Sequence, residues 1–234
     1  TCVGIIVGVV TLTGVGFRLG FVVIQTAGDI SNFFSNIWPI SFFSFEDLRL
    51  FFSLVLIAIS CIIMGAGIPT TATYIILVAV AAPALAQLGI EPLVAHFFVF
   101  YYGVLADITP PVALAAYAAS GIAKSNPFKT GNTAFRLGIA KALVPFVFVY
   151  SPSLLLITGE FQTNQLMITL IGTLIGIALI GIAFTGYWFR PLMKYEQIII
   201  GIGSLFFVAP GTGSMIIGLL IVLPMLFLQF YKKN

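Results

Sequence analysis

The chain has 234 residues, of which 60% are apolar and only 7% charged, and its mean hydropathy is +1.17. Soluble domains carry about 25% charged residues, so a water-soluble surface is excluded and the predicted class is an all-α polytopic membrane protein in a lipid bilayer. A net charge of +3 gives no basis for a nucleic-acid partner.

Thr1 lies inside an apolar run, without a Met, a charged n-region or a cleavage site. A signal peptide is therefore not predicted, and the chain is expected to be the C-terminal piece of a longer protein. Residues 1–27 are apolar around Thr11-Leu12-Thr13-Gly14-Val15-Gly16 and one charge, Arg18. That run reads either as a break or helix end, or as a glycine-rich packing surface. Arg18, near a helix end, reads as a snorkelling residue, with contact to an anionic substrate as the lesser alternative. Residues 28–47 hold Asp29, Asn32, Asn36, Pro39, Glu46 and Asp47 with no Lys or Arg, which predicts an extracytoplasmic connector with Trp38 at the interface.

Residues 48–64 and 72–88 are apolar on either side of Gly65-Ala66-Gly67-Ile68-Pro69-Thr70-Thr71. With the turn Gly89-Ile90-Glu91-Pro92, which has no positive charge, facing outward like the connector at 28–47, they predict a re-entrant hairpin, 48–88. Residues 93–123 exceed the roughly 20 needed for one straight span and are interrupted at Asp107-Ile108-Thr109-Pro110-Pro111. They predict one crossing made of two half-helices. Lys124, Lys129, Arg136 and Lys141 follow, the densest positive cluster, and place a cytoplasmic loop there. A span at 142–158 is kinked by Pro145 and Pro152. An outside turn at Glu160–Gln165 leads into a span at 166–189, then Arg190 and Lys194. Residues 197–230, apolar around Pro210-Gly211-Thr212-Gly213, read as a hairpin that returns Lys232 and Lys233 to the cytoplasm or as a single crossing that puts them outside, and the charge pattern favours the hairpin. The expected divisions are 1–47, a core at 48–123, and C-terminal helices at 124–234.

The two interruptions carry the chemistry. Unpaired backbone groups facing lipid cost several kcal/mol each, so such breaks belong where protein or water satisfies them. Pro69, Pro110 and Pro111 cannot donate, and they stop the helix ladder that would consume nearby carbonyls. Gly65 and Gly67 permit close backbone approach. Carbonyls, with the hydroxyls of Thr70, Thr71 and Thr109, are the oxygen donors a hard cation such as sodium takes. Asp107, the one acid deep in an apolar stretch, reads as a site carboxylate or as a helix cap, and the two are compatible. Cys2 and Cys61 read as small buried hydrophobes, and His96, Tyr74, Tyr101, Tyr102 and Tyr117 chiefly as packing residues. No Walker-A run, nucleophile–base pair or metal-ligand spacing is present, so no enzyme and no cofactor is predicted.

Three runs resemble the permease of tripartite ATP-independent periplasmic (TRAP) transporters, most closely the fused-permease branch that works with TAXI-type binding proteins. They are Gly65-Ala66-Gly67-Ile68-Pro69-Thr70-Thr71-Ala72-Thr73-Tyr74, His96-Phe97-Phe98-Val99-Phe100-Tyr101-Tyr102-Gly103, and Asp107-Ile108-Thr109-Pro110-Pro111-Val112-Ala113-Leu114-Ala115-Ala116-Tyr117-Ala118-Ala119. The similarity runs from the Gly-Ile-Ile-Val-Gly stretch at 4–8 to Val149-Tyr150-Ser151-Pro152, and beyond about residue 160 only apolar character is shared. The resemblance implies the second half of an inverted-repeat, elevator-type sodium symporter in a bacterial inner membrane. A periplasmic solute-binding protein would deliver an organic anion, a dicarboxylate or amino acid, and the N-terminal half of the same permease would supply the other repeat. It also implies a sodium site on Gly65, Ala106, Thr109 and Val112, largely through backbone oxygens, with Ala106 where many members have Gly. Gly67, Pro69, Thr70, Thr71, Asp107, Pro110 and Pro111 would contact substrate or support that site. Asp107 is typical of this branch alone. The rival expectations are a divalent-anion symporter needing no binding protein, proton coupling through Asp107, and an uncoupled channel or assembly subunit.

Overall fold

A computed structural model describes residues 2–37, 44–156, 163–209 and 211–231. The chain is an all-α polytopic membrane protein. Among the described residues the only strand-like pairing is a single bridge between Tyr187 and Pro191. It divides into two compact units, Thr1–Ala119 and Ser120–Asn234.

The first unit opens with α1 (Cys2–Thr13) and α2 (Val15–Ile37), bent by 63° where they meet. Gly14 makes the bend at φ +66°, a left-handed conformation that costs glycine little. Both sequence readings of the Thr11–Gly16 run are therefore realised. The helix breaks at Gly14, and Gly16 lies so close to α4 that a Cβ there would stand 2.8 Å from the Ala79 carbonyl oxygen. Arg18 is exposed.

The connector expected from residue 28 begins later. Helix α2 runs through Asp29, Asn32 and Asn36, and its three Ser and Thr side chains satisfy their hydroxyls on the preceding turn: Thr26 to Val22, Ser31 to Ala27 and Ser35 to Ser31. Trp38 and Pro39 lie outside the described residues. Ser44 starts α3 (Phe45–Gly65) with a reciprocal cap: its Oγ accepts from Asp47 N at 3.1 Å, and Asp47 Oδ2 accepts from Ser44 N at 3.2 Å.

Helix α4 (Thr70–Gln87) returns from the break at Ala66–Pro69. Helices α3 and α4 are each long and apolar enough to cross a membrane. Next come α5 (Pro92–Ala106) and α6 (Leu114–Ala123), each too short to do so alone. The core gathers where α2 to α5 meet, around Leu54, Ile57, Leu77, Leu85, Phe98 and Leu105. Cys61 is buried there as expected, whereas Cys2 is exposed.

In the second unit, the segment after Ala123 was expected to be a loop. It is helical instead: α7 (Pro127–Gly138) begins where Asn126 Oδ1 accepts from Lys129 N at 3.0 Å and Pro127 supplies a first-turn proline. A 3-10 turn carries it into α8 (Val144–Tyr150), and Pro127–Tyr150 together is long enough to span. Helices α9 (Thr163–Thr185), α10 (Lys194–Val208) and α11 (Thr212–Tyr231) then pack in sequence order around Leu179, Ile200, Phe207 and Val222. The break expected at 210–213 falls between α10 and α11, which cross at Gly203 and Gly218; a Cβ on Gly218 would sit 3.0 Å from the Gly203 carbonyl oxygen. Pro210, residues 157–162 and the Lys232-Lys233 tail lie outside the described residues.

The turn from α9 to α10 is closed by a buried polar knot. The guanidinium of Arg190 donates Nη2 to Glu196 Oε1 at 2.5 Å and Nη1 to Oε2 at 3.3 Å. Glu196 Oε2 also accepts from Met193 N at 2.8 Å and from Gln229 Nε2 at 3.2 Å. Glu196 is 1% exposed and Gln229 not at all.

Candidate cation and substrate site

The two interruptions predicted from sequence meet in the first unit. Helix α3 stops at Gly65, whose carbonyl accepts Ile68 N at 3.3 Å across a tight turn. Gly67 holds φ +84°, a conformation that side chains rarely adopt. Pro69 then leads into α4, and its carbonyl accepts Thr73 N at 2.9 Å as the helix begins. Opposite, α5 unwinds after Ala106. Its last carbonyls are taken by short-range donors, Ile108 N to Leu105 O and Thr109 N to Ala106 O, both at 3.2 Å. Prolines 110 and 111, joined by a cis peptide bond, carry the chain to α6.

Three contacts bring these breaks together. A Cβ on Gly65 would lie 3.0 Å from Ala106 Cβ, closer than real Cβ atoms comfortably approach, so only glycine leaves this spacing undisturbed. A Cβ on Gly67 would meet Val112 Cγ1 at 3.4 Å. Thr70 Oγ1 donates to Asp107 Oδ2 at 2.7 Å. Gly65 and Ala106 of the expected cation set are thus adjacent in space, and Val112 meets the same turn at Gly67. Thr109 stands on the same loop, between Asp107 and Val112. Thr71 and Pro111 are exposed, and Pro69 and Gly67 form the outer edge of the turn.

Thr109 Oγ1 donates to Leu105 O at 2.7 Å. That bond uses the hydroxyl proton and leaves the oxygen lone pairs as acceptors. The carbonyls of Gly65, Ala106 and Thr109 each accept one backbone N–H (from Ile68, Thr109 and Ala113), and each retains a second lone pair. The donor set is therefore neutral oxygen, with one carboxylate beside it. Among the described residues no group of three His, Cys, Asp or Glu side chains gathers as a metal cluster.

The structure decides between the two readings of Asp107 in one respect. Asp107 ends α5, seven residues before α6 begins, so its side chain does not cap α6. Its backbone carbonyl serves α6 instead, accepting Ala115 N at 3.0 Å. The carboxylate reaches across to the first turn of α4, where a negative charge is favoured by the helix dipole.

Two further residues at the breaks were not among the expected site residues. Thr73, 1% exposed, donates Oγ1 to Ile68 O at 3.0 Å. Tyr117 donates its hydroxyl to Pro111 O at 2.7 Å. A hydroxyl at four or six residues from a proline-bearing turn was the available signal, since prolines leave carbonyls in want of donors. His96 is a packing residue: its Nδ1 is hydrogen-bonded to Tyr74 Oη at 2.8 Å, and Tyr74 also meets Phe100 edge-on.

The family model described as "Tripartite ATP-independent periplasmic transporter, DctM component" matches residues 1–163, a stretch holding both breaks and every contact just described. The chain belongs to this family. Curated proteins and solved structures give no match. The two breaks are thus features of a TRAP transporter permease component, a transporter rather than an enzyme family. The match ends near where the resemblance in sequence fades, so α9 to α11 lie beyond it.

Proposed function

We propose that this chain is the C-terminal half of a fused TRAP permease of the TAXI-associated branch. It imports an organic anion, a dicarboxylate or amino acid, that a periplasmic solute-binding protein delivers, and it draws on an inward sodium gradient across the bacterial inner membrane. The α3–α4 hairpin enters from the extracytoplasmic side, and the α5–α6 break completes a site with it. Sodium is co-transported cargo, held by Gly65, Ala106, Thr109 and Val112. Substrate contacts the hairpin tip and the Thr109-Pro110-Pro111 loop from the side facing the other repeat.

The observation that carries this reading is the close approach of Gly65 to Ala106 and of Gly67 to Val112. Two backbone breaks with second lone pairs to offer lie side by side, as a hard cation needs. One observation favours a second reading. Asp107 is a half-buried carboxylate at the end of α5, within an apolar stretch, and an intramembrane acid is the residue type that supports coupling to protons in place of sodium.

The test is uptake by the full-length permease with its binding protein in proteoliposomes, with and without an inward sodium gradient, beside Thr109→Ala. Uptake that needs both sodium and binding protein, with weaker sodium dependence in the variant, is the expected result. Uptake indifferent to sodium but driven by a pH gradient, and lost in Asp107→Asn, would replace sodium by protons.

A further inference from the structure

Thr73 stands between the hairpin turn and α5 and touches each through different atoms. Its hydroxyl holds the Ile68 carbonyl at 3.0 Å. The N–H of the same residue, Ile68, donates to the Gly65 carbonyl at 3.3 Å. A chain of two hydrogen bonds therefore runs from the Thr73 hydroxyl through one residue to the Gly65 oxygen. The Thr73 methyl meanwhile faces two glycines: Cγ2 lies 3.0 Å from a Cβ built on Gly65 and 3.2 Å from one built on Gly103. It fills the space that those glycines leave between the hairpin and α5. Pro69 follows Ile68 and has no N–H, so the turn has no backbone donor of its own at that place.

We infer that Thr73 is the positioning residue of the cation site: its hydroxyl fixes Ile68, and Ile68 aims the Gly65 carbonyl. This rests on the cation site proposed above. Thr73 does not touch the ion. The hydroxyl sets the direction of one ligand, and the methyl sets the spacing between the hairpin and α5. The two functions separate by substitution, because valine keeps the methyl and loses the hydroxyl, whereas serine does the reverse.

The experiment is a sodium titration of uptake by the full-length permease with its binding protein, for wild type, Thr73→Val and Thr73→Ser. Losing the aim of one ligand through one hydrogen bond predicts a rise of about fivefold in the half-saturating sodium concentration for Thr73→Val. The maximal rate at saturating sodium stays within about twofold, since the ion restores the arrangement once bound. Thr73→Ser stays within about twofold of wild type on both measures. An unchanged half-saturating concentration in Thr73→Val overturns the inference, and so does a fall in maximal rate alone. A rise in Thr73→Ser equal to that in Thr73→Val also overturns it, by assigning the effect to the methyl. Should Thr73→Val not fold, Thr73→Ala, which loses both groups, is compared with Thr73→Ser, which loses the methyl alone; a half-saturating concentration in Thr73→Ala no higher than in Thr73→Ser overturns the inference. Wild-type uptake that ignores sodium removes the cation site itself; sodium-dependent uptake with an insensitive Thr73→Val removes this inference alone.

Discussion

Thr70 and Asp107 lie 37 positions apart in sequence, and the hydroxyl of one donates to the carboxylate of the other at 2.7 Å. This bond joins the hairpin tip to the end of α5, in half-buried surroundings where a charged acceptor strengthens it. Hydrogen bonds to charged groups contribute about 1.5–3 kcal/mol. A double-mutant cycle of Thr70→Val and Asp107→Asn, read by unfolding of the purified permease, is expected to give a coupling energy of about 1–2 kcal/mol. Additive effects of the two substitutions would mean that the pair does not join the breaks.

The spacing of the breaks is set by the absence of a side chain at Gly65. Alanine there would place its Cβ 3.0 Å from both Ala106 Cβ and Thr73 Cγ2. Neither neighbour is the far end of a flexible chain, so the breaks must separate, at about 1–3 kcal/mol. Gly65→Ala is expected to cut uptake by more than tenfold while leaving the protein folded. Adding Ala106→Gly removes one of the two clashes and should recover part of the uptake. Gly121, with nothing within 4 Å of its built Cβ, is the control; Gly121→Ala should transport as wild type. Transport by Gly65→Ala at the wild-type rate would show that the spacing is free to vary.

Tyr117 ties the far side of the proline loop to α6 through Pro111 O at 2.7 Å. Tyr117→Phe keeps the ring and removes the donor. The expected loss is about 1 kcal/mol of stability, seen as a lower unfolding midpoint of the purified permease. An unchanged midpoint would assign the loop's conformation to its prolines alone.

How much of this was legible in sequence follows from the physics of each feature. The breaks at Gly65 and Thr109 stood out because glycine and proline interrupt apolar runs, and the structure unwinds the helices at those residues. Their meeting in space was only an expectation, since no local pattern says that Gly65 must face Ala106. The connector at 28–37 was misjudged because Asp, Asn and Ser favour turns in isolation. In α2, Ser31 and Ser35 spend their hydroxyls on the preceding turn and continue the helix. Likewise, Lys124 to Lys141 read as a loop by charge, although Asn126-Pro127 is a helix start. The roles of Thr73 and Tyr117 depend on which carbonyls the prolines leave wanting, and that is settled only by the fold.

The Arg190–Glu196 pair was not foreseen either, though a lone Gln229 in an apolar span was its trace. The pair sits in the second unit, where Glu196 is 1% exposed and also holds Gln229 and the Met193 backbone. Removing one member of such a pair leaves a buried charge without compensation, which costs about 3–5 kcal/mol. Glu196→Gln keeps the shape but discards the charge, so Arg190 loses its counterion and the bond from Gln229 loses its charged acceptor. A fall in the unfolding midpoint of the purified permease is expected for Glu196→Gln, and for Arg190→Met. The double substitution Arg190→Met with Glu196→Met removes both charges together and should recover a large share of the loss, because neither remains unpaired. If the double variant is as unstable as the sum of the singles, the carboxylate's bonds to Met193 and Gln229 hold the turn, and the ion pair does not.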